Sequence, residues 1–363
     1  MLARIVCWSL LWSLALAASV GAAEVAPTRP VVLPGADGLA TLPSTVAVLP
    51  RDGRRLYLDA FAAARREIRI EICVLEDPEI LAGLQTALAR GVRVRALVDR
   101  GKYDALEAER DNLATYLTSA GGELHLSNPI FPRSFPKVIL IDASRVIYGS
   151  ACLDSLTFAQ YRDFAHLTGD RQLIAELGGL FENDWRFSSA VGDEPPLFNP
   201  TPPLSGRTGL LVAPVDASAR LVALFQSARR TLEVYTELLG NPTLESELAA
   251  AVARGVEVRL ITPLAVNGNT PEQNASHVAS IEALVSIGVD VHVSEPPESA
   301  ERPYMHARAA IVDGGVAYLG SISLSTDAAT VNREVGRVAG EQQVVDVLRR
   351  QFEEDFVSRT RPY

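Results

Sequence analysis

Residues 304–334 read YMHARAAIVDGGVAYLGSISLSTDAATVNRE, and residues 133–163 read RSFPKVILIDASRVIYGSACLDSLTFAQYRD. Laid over each other at one constant shift, the two stretches match at Asp142/Asp313, Gly149-Ser150/Gly320-Ser321 and Arg162/Arg333. The match continues without a gap to Phe181-Glu182/Phe352-Glu353. An apolar run, an Asp, a second apolar run and a Gly-Ser pair describe a strand–turn–strand unit. Because that unit is written twice, the chain is read as a repeat before anything else.

Working outward, the duplication covers nearly everything downstream of residue 46. Val46–Pro50, Phe61, Ala64-Arg65-Arg66 and Ile68/Ile70 return, at a slightly smaller shift, as Leu210–Pro214, Phe225, Ala228-Arg229-Arg230 and Leu232/Val234. Ala89-Arg90-Gly91-Val92 returns at that same shift as Ala253-Arg254-Gly255-Val256, each copy followed by a β-rich run. The difference between the shifts arises because the second copy gains residues in two places, around Asn267–Ser276 and between Ser294 and Tyr304. Gly91 and Gly255 are placed to end helices, where a left-handed residue is often needed. Alternating strands and helices predict the α/β class, as two tandem pseudo-symmetric sandwich repeats with the site at their interface. The expected boundaries are 46–192 for the first repeat, 193–206 for a proline-rich linker, and 207–363 for the second repeat.

Upstream, a short positive start, an apolar run and Gly21-Ala22-Ala23 have the grammar of a secretory signal, so residues 1–23 are expected to be cleaved. An uncleaved anchor is the alternative. Residues 24–45, rich in Pro and Gly, are expected to form an extended arm. Export places the mature chain in the periplasm or outside the cell. The whole chain sets 34 Lys+Arg against 44 Asp+Glu, a net charge of −10, and cleavage would remove Arg4 and no acid. That acidic balance disfavours binding nucleic acid over a broad basic face. A hydrophobic content of 48% argues against disorder. Of the three cysteines, only Cys73 and Cys152 would remain in the mature chain, and they make no disulfide scaffold. They can pair in an oxidising compartment, but are read as two buried free thiols.

His306-x-Arg308, Asp313, Gly320-Ser321-x-Ser323 and Glu334, with Phe135-x-Lys137, Asp142, Gly149-Ser150-x-Cys152 and Asp163, resemble the His-x-Lys-x4-Asp-x6-Gly-Ser-x-Asn signature of the phospholipase D superfamily. The likeness spans about residues 46–357 and implies the phospholipase D-like fold. It also implies catalysis on a phosphodiester without a cofactor or a metal. Such a substrate repels nucleophiles, so cations and hydroxyls must hold it. The resemblance assigns Lys137, Arg308, Ser150, Ser321 and Ser323 to the phosphate. It makes His306 the nucleophile or acid/base, with Glu334, downstream in the same copy, as its orienting carboxylate. Asp142, Asp313 and Asp163 are expected to support the site.

The chain departs from the signature where it matters most. Phe135 stands at the first histidine position and can neither attack phosphorus nor carry a proton. Cys152 and Ser323 replace the asparagines, and Arg308 replaces a lysine, exchanging a point charge for a planar fork. Among the other histidines, His125 and His292 occupy matching places and are expected to be structural. His166 is read as a satisfied imidazole and His277 as an exposed one. The expectation is a phosphodiesterase or phosphatidyltransferase acting on a phospholipid through His306 with impaired turnover. It would be a monomer touching the membrane peripherally. The alternatives are a catalytically silent binder of head groups or phosphate, and an envelope nuclease.

Overall fold

The computed structural model describes residues 44–105 and 116–363, so the expected signal and nearly all of the expected arm lie outside the described residues. Each repeat builds its first half by the same local devices. Helices Pro78–Ala89 and Pro242–Ala253 start with Pro in the first turn, behind Asp77 and Asn241. Those side chains accept hydrogen bonds from the first free amides of each helix. Both helices run out at an Arg-Gly pair, and Gly91 and Gly255 share φ +83°. The arginine there is used as well. Arg90 donates to the Phe61 carbonyl and Arg254 to that of Phe225, satisfying the ends of helices Arg55–Ala63 and Ala217–Ser227.

The first sheet contains β1 (Thr45–Leu49), β2 (Glu67–Ile72), β3 (Arg93–Val98), β4 (Glu123–Leu126), β5 (Val138–Ile141), β6 (Arg145–Gly149), β7 (Tyr161–Thr168) and β8 (Ser189–Ala190). Their order is β1-β7-β6-β5-β2-β3-β4-β8. Downstream lie β9 (Leu210–Ala213), β10 (Thr231–Tyr235), β11 (Leu239–Gly240), β12 (Glu257–Pro263), β13 (Asp290–Ser294), β14 (Tyr304–Met305), β15 (Ala309–Val312), β16 (Val316–Gly320), β17 (Leu324–Ser325), β18 (Glu334–Ala339) and β19 (Arg361–Pro362). The second sheet runs β9-β18-β16-β15-β10-β12-β13-β19, the same order strand for strand. The mixed α/β repeat pair expected from the sequence is therefore the fold.

Three apolar cores hold it together. Each repeat packs its short helices on one face of its sheet, around Phe61 and Leu84 in the first and Phe225 and Leu248 in the second. The third core lies between the repeats. There Leu140, Phe181 and Tyr148 meet Tyr235, Phe352 and Leu319. Two buried ion pairs cross this shared core. Arg162 grips Asp355 through Nε (2.7 Å) and Nη2 (2.9 Å), and Arg333 holds Asp184 at 3.0 Å. The two pairs are pseudo-symmetric equivalents, so each repeat lends an arginine to the other's long helix, Arg171–Arg186 or Gln342–Ser358.

The proline-rich segment is a fitted strap. Asn128 donates to the carbonyls of Pro196 and Phe198, Thr201 receives Arg333, and Thr208 binds Glu176. His125 and His292 are structural, stacking on Trp185 (3.9 Å) and Phe356 (3.6 Å). His166 is buried against the Tyr148 hydroxyl at 2.9 Å and takes no part in the contacts of His306. Two expectations are corrected. His277 is buried, because its Nδ1 accepts the Leu239 amide and its Nε2 meets the Pro263 carbonyl. Cys73 and Cys152 are a disulfide, since the end of β2 lies beside the Gly-Ser-x-Cys turn.

Candidate functional site

Where the repeats meet, they exchange main-chain hydrogen bonds. β14 of the second repeat pairs in parallel with β7 of the first, Tyr304 opposite Tyr161 and Met305 opposite Arg162. The next residues on the two strands are His306 and Asp163, and the imidazole Nδ1 lies 2.8 Å from the carboxylate Oδ2. The pseudo-symmetric junction is made by Ser134 and Arg333, with the Phe135 amide donating to the Arg333 carbonyl at 2.8 Å. Phe135 thus takes the place that His306 has on the other side, and Glu334 takes that of Asp163.

This geometry overturns one assignment. Glu334 is not the partner of His306; Asp163 is. A spacing counted along one repeat is blind to the crossover, because cross-repeat strand pairing hands each motif's carboxylate to its partner repeat. The serines are corrected too. Ser150 is fully buried and donates to Asp163 Oδ1 at 2.5 Å while accepting from the Phe164 amide. Ser321 bridges to the Val335 backbone. Both hydroxyls are engaged beside the carboxylate strands and are not free to take a phosphate. Their glycines have a packing reason. A Cβ on Gly149 would sit 2.0 Å from the Phe164 carbonyl, and one on Gly320 would sit 2.3 Å from Gly336.

Asp142 and Asp313 support the fold from the far end of the hairpins. Each adopts φ 52° at the turn and accepts three successive backbone amides, those of Arg65–Glu67 and of Arg229–Thr231. Each lies five strand residues, on the order of 16 Å, from Lys137 or Arg308. Ser323 is buried and makes no hydrogen bond to another described residue.

The cations do converge. Arg308 Nη1 lies 3.1 Å from the His306 ring nitrogens, and its Nη2 pairs with Glu237. Lys137 Nζ donates to the Phe135 carbonyl at 3.1 Å and lies 5.1 Å from the centre of the Phe135 ring. The sequence reading missed Glu237, Tyr304 and Tyr161. The Glu237 carboxylate is 3.8 Å from His306 Nε2 and accepts the Tyr304 hydroxyl at 2.9 Å. Tyr161 stacks on the imidazole, 5.3 Å between centroids. Asn267, in the second copy's polar insertion, donates to both tyrosine hydroxyls and ties them together. A signal for Glu237 was available: at the shift that pairs Phe61 with Phe225 it stands opposite Cys73, a charge where an apolar strand end is expected.

Burial governs the electrostatics. Desolvation, helped by Arg308, holds the His306 imidazole well below its ordinary value, so it is neutral at physiological pH. Desolvation pushes Asp163 up to about 7 against the pull of Arg308 and Ser150. Glu334 is also raised by burial, with Lys137 and Ser321 offsetting part of it. Lys137 is lowered by burial and by Arg308. Glu237 stays below the usual carboxylate range despite burial, because the Arg308 guanidinium faces it and the Tyr304 hydroxyl donates to it. The site therefore offers a neutral, oriented imidazole beside two cations. That set suits attack on a phosphorus bearing negative charge.

Comparisons with known proteins place the chain in a family and match its fold. The chain is 24% identical over 343 residues to the probable cardiolipin synthase YwiE of Bacillus subtilis (strain 168), covering 86% of this chain and 66% of that protein. It is 30% identical over 138 residues to the mitochondrial cardiolipin hydrolase of Xenopus tropicalis, covering 38% of this chain and 60% of that one. The chain thus spans slightly less than two-thirds of these relatives' length. Its fold matches the crystal structure of phosphatidylserine synthase from Haemophilus influenzae Rd KW20 with a TM-score of 0.70 at 13% identity, over 88% of this chain and 87% of that one. A family model described as "Cardiolipin synthase, PLD-like domain" matches residues 57–185 and 221–356, one segment in each repeat, and the chain belongs to that family.

Proposed function

We propose that this protein processes a phospholipid phosphodiester, with His306 as covalent nucleophile and with turnover slowed by Phe135. The observation that carries the reading is the His306–Asp163 dyad beside Lys137 and Arg308. With Asp163 ionised, its carboxylate accepts Nδ1–H and leaves the Nε2 lone pair for phosphorus. As the N–P bond forms, the bond to the leaving alcohol breaks and its electron pair stays on oxygen. In a site with two imidazoles the second protonates that oxygen; here water must supply the proton. Loss of one general acid costs roughly 10²–10⁴ in rate for an unactivated alcohol. The phosphohistidine is then released by water or by a second alcohol, again unassisted. The names of the relatives, a synthase and a hydrolase, support a phospholipid substrate. The disulfide supports a compartment outside the reducing cytosol, in keeping with export to the periplasm or medium. Peripheral contact with the membrane and a monomeric state belong to the same reading.

The test uses bis(p-nitrophenyl) phosphate, whose leaving group needs no acid. A burst of one nitrophenolate per protein, with an acid-labile phosphoryl group on His306, is expected, and neither should appear in His306→Ala. Phe135 in place of a second imidazole favours a second reading, a catalytically silent binder of phosphate or head groups. Saturable binding with no burst would select it, and release unchanged in His306→Ala would sink the nucleophile assignment.

A further inference from the structure

Glu237 has no counterpart in the first repeat. Its equivalent there, Cys73, is sealed in a disulfide with Cys152, so the strand end itself does not require a charge at this place. Burying a carboxylate is costly unless it is paired and hydrogen bonded. Glu237 is both. Oε2 pairs with Arg308, and Oε1 accepts the Tyr304 hydroxyl, which in turn accepts the Asn267 amide at 3.0 Å. The carboxylate is thus held from two sides, and remains in the cleft when a ligand enters. Lys137 is different. Its ammonium donates to the Phe135 carbonyl, and no carboxylate among the described residues is in ion-pair contact with it.

We propose that Glu237 is a specificity-determining residue: by neutralising Arg308 it leaves Lys137 as the cleft's cation without an ion-pair contact, matched to the single negative charge of a phosphodiester and not to the dianion of a phosphomonoester. The other titratable groups around the cleft are His306, Asp163 and Glu334. Burial keeps His306 neutral, and Asp163 and Glu334, each raised to about 7, add only negative charge as they ionise, so none supplies a second cation. A phosphomonoester, with its second pKa about 6, is mostly dianionic at pH 7. Its extra charge would face Glu237 across a site of low effective dielectric. The inference rests on the phosphodiester reading above and adds which phosphate esters the cleft accepts.

The test is calorimetric titration of the full chain at pH 7 with glycerophosphoglycerol, a diester, and glycerol 3-phosphate, a monoester. The native protein is expected to bind the diester at least about tenfold more tightly. In Glu237→Gln the monoester should tighten by about tenfold or more while the diester changes less than about threefold. Glu237→Asp, which keeps the charge, should keep the discrimination. Equal discrimination in the native protein and Glu237→Gln overturns the role of Glu237. Should Glu237→Gln fail to fold, the native protein decides alone, since equal affinity for the two probes also overturns it. Lys137→Ala separates the two levels: if neither probe binds in a Lys137-dependent way, the phosphodiester cleft itself is refuted, and this inference with it.

Discussion

His306 and Asp163 belong to different repeats, yet their side chains meet at 2.8 Å because β14 and β7 pair across the junction. The half-site that retains an imidazole therefore depends on both repeats being folded and docked. At the opposite half-site the same construction brings Phe135 to Glu334, where a carboxylate stands without an imidazole to orient.

The dyad sets the pH dependence of the burst. Asp163 must be ionised to accept Nδ1–H; protonated, it would donate to Nδ1 and leave the proton on Nε2. Its carboxyl is raised to about 7, so the burst rate should climb about tenfold per pH unit below 7 and level off above it. A falling limb should follow as Lys137, lowered from its ordinary value, loses its proton. Stopped-flow release of nitrophenolate from pH 5 to 10 measures both limbs. Asp163→Asn should lose the rising limb together with roughly 10²–10⁴ of the rate.

Phe135→His should restore an imidazole facing Glu334. Turnover of an unactivated phospholipid is expected to rise by about 10²–10⁴, whereas the burst with the activated diester should change little, since that leaving group needs no acid. Lipid-release assays on vesicles compare the variant with the native protein. No gain would mean that the Phe135 site lies outside the reaction path.

The buried carboxylates also have a sign in stability. Glu334 is raised above its unfolded value, so its contribution is fully present below the unfolded pKa and is lost as pH rises through the folded one. Glu334→Gln should therefore raise Tm at pH 8 by a few degrees, with the gain shrinking towards pH 4. Differential scanning calorimetry at both pH values reads this directly, and an equal gain at each would contradict it.

The ion pair between Arg162 and Asp355 joins the repeats at full burial. Removing one partner leaves a bare charge in the shared core, so Arg162→Ala should cost about 3–5 kcal/mol. Reducing the Cys73–Cys152 disulfide, which joins positions 79 apart in sequence, should cost about 4 kcal/mol by loosening the unfolded chain. Denaturant midpoints measure each. If Arg162→Ala also abolishes the burst while still folded, docking of the repeats is what assembles the dyad.

The sequence alone determined the repeat, the class and the chemical inventory. The duplication shows in one dimension because both copies keep the same turn aspartates, helix-ending glycines and strand periodicity, and these are local requirements of the backbone. Phe135 as the defect and Lys137, Arg308 and His306 as the reactive set were legible for the same reason: side-chain chemistry can be read residue by residue. Tertiary structure alone decided who faces whom. Glu334 and Asp163 lie at equal distances along the chain from their own motifs, and only strand pairing between repeats assigns His306 to Asp163. Ser150, Glu237 and the two cysteines follow the same rule. Whether a hydroxyl is free, a carboxylate is paired or a thiol is oxidised depends on neighbours far away in sequence. Burial then sets their charges, because desolvation is a property of the packed interior and not of any stretch of chain.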